Sequence, residues 1–273
     1  MNQKVTLLRK KLLFLLVPVL VGTTYLGSTV LPSSANKKDK SVVRVNNLTH
    51  SCELLNVEKH KDHIQVSVQN NSNKAITAYV ITSRIDPRTV FTFKEDYAFS
   101  EGDNAILPGQ RQDRAISIPA SLNRQAEINL NLSAVIYEDN SSEGDAKIIH
   151  NIEDYRLGQK VQLMKVLSLL ERLSRLPDKE ISVYWNKTAR YDFETALNEP
   201  NAQFLIQLNK NRPKNNGPSE ESEQFEIGVQ GGKDSVTQKY QELNDILEKQ
   251  GPGALRNEII YLRNLYAGIT GKL

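Results

Sequence analysis

Residues 64–81 read Ile-Gln-Val-Ser-Val-Gln-Asn-Asn-Ser-Asn-Lys-Ala-Ile-Thr-Ala-Tyr-Val-Ile. Ile64, Val66 and Val68 alternate with Gln65, Ser67 and Gln69, so an extended chain carries one apolar and one polar face. Asn70-Asn71-Ser72-Asn73 supplies turn residues, and Ile76, Ala78 and Val80 resume the alternation in phase. The stretch predicts two strands joined by a turn. A lone hairpin buries too little surface to stand by itself, so a second sheet is required.

The same period of two runs from Val42 to about Tyr137. Leu107-Pro108-Gly109-Gln110 is a turn before the short run Ala115–Ile118, and Ile128, Leu130, Leu132, Ala134 and Ile136 mark a long strand ending at Glu138-Asp139-Asn140. Strands and turns at this spacing predict an antiparallel β-sandwich over residues 42–149. Together with Ser133-Ala134-Val135-Ile136-Tyr137-Glu138-Asp139, these stretches resemble the immunoglobulin-like domains of uncharacterised exported bacterial proteins. The resemblance implies a fold over 42–149 and no active site. The Cys-Trp-Cys pattern of antibody domains is absent, and a shared shape does not carry a function with it.

Beyond the sandwich the period changes. Asn151 is a capping residue with Glu153 and Asp154 behind it, and Leu163, Val166, Leu167, Leu170 and Leu173 fall at helical spacing before Pro177. Leu169 and Leu176 widen the apolar face, which predicts a docked amphipathic helix over 150–177 with Gly158 as an internal weak point. Residues 178–273 form a smaller, mostly helical C-terminal region. Within it Glu180–Trp185, Gln203–Leu208 and Glu223–Val229 read as short strands. Arg190–Leu197, Asp234–Gln250 and Ala254–Tyr266 read as helices, and residues 210–222 as a mobile loop too polar to bury. The expected class is α+β, dominated by β-structure.

The first 35 residues read as an export segment. Lys4, Arg9, Lys10 and Lys11 precede the apolar run Leu12–Val21, and Pro32-Ser33-Ser34-Ala35 sets small residues for cleavage after Ala35. The competing expectation is an uncleaved anchor, since residues 12–31 form 20 uncharged positions. Residues 36–41 are a polar tether. Without those four basic residues the chain holds 31 Lys and Arg against 32 Asp and Glu, so a basic nucleic-acid-binding body is not indicated. The body is expected in the periplasm, secreted, or anchored, touching membrane only through 12–31 if the leader stays.

The chemistry is sparse. Cys52 is the single cysteine, so no intrachain disulfide forms. His50, Cys52, His60 and His63 lie close in sequence and are competent metal ligands, but their spacing fits no standard zinc module and Glu58–His63 reads as a polar hairpin turn. Asp139–Gly144 has the oxygen spacing of a calcium loop with His150 where a glutamate should close it. Gly231-Gly232-Lys233-Asp234 is a fragment of a phosphate loop without its hydroxyl residue. Tyr184, Trp185, Tyr191 and Phe193 concentrate aromatic area, either for stacking on a ligand or for packing on the Leu-rich helix. The expected function is a non-catalytic binding or scaffolding protein of the cell envelope without a cofactor. Its partner would be another envelope protein reached through the C-terminal helices, where Leu255, Ile259, Leu262 and Tyr266 form a stripe in need of a surface. Two alternatives stand: an envelope hydrolase with its site between sandwich and helices, and a metal-dependent module in which His60 and His63 converge with Cys52 or an acid.

Overall fold

The structure is a computed structural model and describes residues 42–99, 104–209 and 222–271. The leader with Ala35, the tether and residues 210–221 of the expected loop lie outside the described residues.

Two sheets share one apolar core. The first runs in the order β1 (Val42–Asn47), β7 (Glu127–Tyr137), β4 (Ile76–Arg84), β5 (Val90–Asp96), with the short β8 (Ser142–Gly144) also on β7. The second is β2 (Cys52–Lys59), β3 (His63–Asn70), β6 (Arg111–Ser117). A short helix α1 (Ala120–Asn123) follows β6 and buries Leu122. Leu54, Ile64, Val66, Val68 and Ile116 of the second sheet meet Ile76, Tyr79, Ile81, Ile128, Leu130 and Leu132 of the first. The pairing is not wholly antiparallel. β1 runs parallel to β7, with Val43 opposite Ile128 and Val45 opposite Leu130.

The expected single phase along β4 and β7 is broken twice. The register shifts between Ile76 and Ala78, and again between Val80 and Ile81, where Ser133 of β7 is skipped. Each extra residue turns the following side chains over, because the strand period is two. Ile76, Leu130 and Leu132 therefore face the other sheet, while Ala78, Val80, Ala134 and Ile136 face away and pack with Ile152. This second face would be wet in a plain sandwich. Here it is the seat of a helix.

That helix, α2 (Ala146–Ser174), starts earlier than the sequence suggests. Asp145, not Asn151, is the cap and accepts from the N–H groups of Lys147 and Ile148. The helix ends at Ser174, with Arg175 as its cap, and so spans 146–174 where 150–177 was expected. Its first turns cover the sheet, and its second half joins α3 (Asp178–Tyr184), α4 (Arg190–Leu197), α6 (Glu223–Gln250) and α7 (Pro252–Gly271) around Leu163, Val166, Leu170 and Leu173. The expected strands at 180–185, 203–208 and 223–229 are helical: α3, α5 (Ala202–Asn209) and the start of α6. Short apolar runs of this kind suit either geometry, and burial against α2 selects the helix through Ile181, Leu205, Leu208, Phe225 and Val229. Among the described residues helix outweighs strand, so the class is mixed α+β and not β-dominated.

Gly158 is no weak point. A Cβ there would lie 2.3 Å from the carbonyl oxygen of Phe225, and one at Gly228 would lie 2.1 Å from that of Tyr155. Backbone meets backbone, and α2 and α6 cross in direct contact because both positions lack a side chain.

Candidate functional site

Between α3 and α4 the helix widens into one π-turn, Trp185–Ala189. Such insertions re-aim the helix that follows and are frequent at functional sites. Here α4 is set across from α6, and the two enclose an open groove of about 380 Å³. Phe193, Leu197, Val236 and Tyr240 form an apolar floor, and Arg190, Glu194, Thr237, Gln241 and Asn244 supply polar walls. The α6 residues Val236, Tyr240 and Asn244 recur at one-turn spacing, so a single stripe of that helix faces the cleft.

The floor is fixed from below by Trp185. Its ring stacks on Tyr240, with centroids 5.3 Å apart and planes 19° off parallel, and meets Phe193 edge-on at 5.8 Å. Its indole N–H donates to Oδ1 of Asn244, which itself lines the groove. Arg190 and Glu194 pair across one helical turn at 2.8 Å and neutralise each other. A cleft of this size with an apolar floor and a few fixed polar groups is the usual form of a small-ligand site.

Two cations gather beyond one end. Lys233 does not itself line the groove but lies on the same side of α6, one turn before Val236, and no carboxylate pairs with it among the described residues. At the same end the buried Lys165 of α2 donates to the carbonyl oxygen of Leu197 at 3.3 Å and to Oδ1 of Asn201 at 2.7 Å. Both acceptors are uncharged. Burial, and then the nearby charge of Lys233, lower the Lys165 ammonium to about 8, with Glu199 opposing. Glu199 is engaged by Gln203.

The residues singled out in the sequence are distributed differently. His60 and His63 close the β2–β3 hairpin, with the His60 N–H donating to the His63 carbonyl oxygen at 2.9 Å. Their rings stack 4.5 Å apart, and His63 Nδ1 is taken by Asp62 at 2.9 Å. Cys52 begins the same eight-residue strand at its far end and is fully buried, so it does not join the histidines. Burial pushes its thiol up to about 12, with the charge of Glu143 adding to the shift. Among the described residues no three His, Cys, Asp or Glu side chains come together as a metal site. In the 139–144 stretch Asp139 binds Lys74 at 2.6 Å, while Glu143 accepts from the N–H groups of His50 and Ser51 and from the Tyr137 hydroxyl. Those oxygens are occupied by the chain itself. Gly231–Asp234 lies within α6 and is no loop. Of the aromatic group, Trp185 and Phe193 are buried under the groove, Tyr184 donates to Asp192, and Tyr191 is exposed.

The stripe Leu255, Ile259, Leu262 and Tyr266 of α7 is buried against α2 and α3. The stripe expected to meet a partner is therefore spent inside the helical half. The junction of sandwich and helices, expected to house a hydrolase site, holds Arg156 of α2 clasping Asp96 of β5. Among the described residues no helix is long and apolar enough to cross a membrane.

Comparison with protein-family models, curated proteins and solved structures finds no match to this chain. The groove residues Val236, Tyr240 and Asn244 share a helical period legible in the sequence. Their pairing with Arg190, Phe193 and Leu197 has no sequence signal, because it depends on the π-turn.

Proposed function

We propose that the chain is an exported envelope protein that binds a ligand without transforming it, through the groove between α4 and α6. The observation that carries this reading is the preformed cleft itself: an apolar floor, braced by Trp185 and Asn244, opening between polar walls. The immunoglobulin-like reading of the N-terminal half is supported by strand order. β2-β3-β6 follows the A-B-E order of that fold, and β5-β4-β7-β8 follows C′-C-F-G. β8 is only three residues long, and β1 takes the remainder of its edge on β7. In this reading the sandwich is the mount, and the leader of residues 1–35 delivers it across the membrane.

The test is made on the chain recovered from a bacterial envelope. A mature N-terminus at Asn36 supports export with cleavage, and an intact chain held in the membrane fraction supports export with anchoring. Recovery of the intact chain among soluble cytosolic proteins overturns export. Molecules released from the purified chain by denaturation are compared by mass spectrometry with those from Thr237→Phe, which fills the groove from an exposed position. A species carried by the natural chain and lost from the variant supports the groove, and identical extracts overturn it.

A further inference from the structure

The groove has a direction, and its two ends differ in charge. At the π-turn end Arg190 is spent on Glu194. Just beyond the Leu197 end, one turn before Val236 on α6, Lys233 has no paired carboxylate among the described residues, and Lys165 sits behind the wall bound to neutral oxygens. Between them run Phe193, Leu197, Val236 and Tyr240. The two charged residues that line the cleft, Arg190 and Glu194, cancel, and beyond its Leu197 end Lys233 and Lys165 stand near the carboxylate of Glu199. An apolar trough ending at an unpaired ammonium complements one shape of ligand.

We infer that the groove takes an anionic amphiphile, its hydrocarbon part along the floor and its carboxylate or phosphate head at Lys233. This rests on the groove reading above and deepens it. Each methylene removed from water on the floor contributes to affinity whatever the head carries, whereas the head contributes only if it is negative. The lone ammonium at the end therefore makes the groove a selector of charge. The exposed setting limits that selection to about five- to tenfold in affinity, and salt weakens it. Lys165 adds field without contact, because it is buried behind the wall with two of its N–H groups given to Leu197 and Asn201.

The chain has one tryptophan, Trp185, stacked on the groove residue Tyr240 and bonded to the groove residue Asn244, so its emission reports occupancy. The full chain is titrated with decanoate, decyl maltoside and decyltrimethylammonium, each below its micelle concentration. The inference expects decanoate to bind about five- to tenfold more tightly than decyl maltoside, and decyltrimethylammonium to bind most weakly. Lys233→Met is expected to bring decanoate down to the level of decyl maltoside. Lys249→Gln, on the same helix and paired with Asp245 away from the groove, is expected to leave the order intact. Equal binding of all three probes, or a decanoate preference that survives Lys233→Met, overturns the anionic assignment. In that case binding of decyl maltoside that Thr237→Phe abolishes leaves the groove reading standing. No binding by any of the three overturns the amphiphile inference, and the groove reading then stands or falls on its co-purifying species.

Discussion

Arg156 of α2 holds Asp96 of β5 with two of its nitrogens, Nε 3.1 Å from each carboxylate oxygen and one terminal nitrogen 2.7 Å from Oδ1. Both side chains are nearly excluded from water, and the same terminal nitrogen reaches the carbonyl oxygen of Thr77 at the first register shift of β4. The pair fastens the helical half to the sandwich where the sheet changes phase.

Because each charge is buried on account of the other, removing one strands its partner. Arg156→Ala is expected to cost about 3–5 kcal/mol in urea unfolding. Replacing both members with apolar residues, as in Asp96→Leu with Arg156→Met, is expected to cost much less. Equal losses for the single and double variants would show that the pair does not act as a unit.

The α2–α6 crossing separates two kinds of glycine. Gly228→Ala drives a methyl group to 2.1 Å from a backbone oxygen, so the helices must part, at a cost of about 1–3 kcal/mol or more. Gly268→Ala in α7 meets nothing within 4 Å and is expected to stabilise by up to about 1 kcal/mol through helix propensity. Melting temperatures that move together in the two variants would contradict the packing described.

Lys165 sets a pH dependence. Folded, it loses its proton near 8, whereas in the unfolded chain it keeps it up to the ordinary lysine value of 10.5. Between those limits the unfolded state binds more protons, so this group's contribution to stability rises with pH. The stability of the natural chain relative to Lys165→Met is therefore expected to climb by roughly 1–3 kcal/mol across that window. The comparison removes the opposite trend from Cys52, whose raised thiol makes the folded state the better proton holder above the ordinary thiol value of 9.0. A flat difference would place the ammonium in water.

Cys52 itself is fully buried with its thiol held protonated. A thiol reagent at mildly alkaline pH is expected to leave it unmodified in the native chain and to react completely once guanidinium unfolds it. Labelling at the same rate in both states would contradict its place in the core.

Much of the architecture was legible in residue order. The alternation in Ile64–Val68 lies in β3 with Ile64, Val66 and Val68 all in the core, and the Asn70–Asn73 turn stands where its composition put it. The Leu163–Leu173 spacing is the buried face of α2, and 190–197 is helical as read. Short apolar runs do not distinguish a strand from a buried helix over six residues; Phe225 to Val229 is decided by α2 lying against it. The in-phase reading of β7 failed at Ser133 for a different cause, since one residue skipped in the pairing has no signature in the alternation around it.

Periodicity and turn chemistry in the chain by itself determined that a pleated half is followed by a helical one, because such patterns are properties of neighbours in sequence. Tertiary structure alone decided the second buried face of the sheet, the glycine-to-backbone crossing of α2 and α6, the isolation of Cys52 from His60 and His63, and the groove. Each depends on which distant segment arrives at a surface, and that is set by the packing of the whole core and not by local preference.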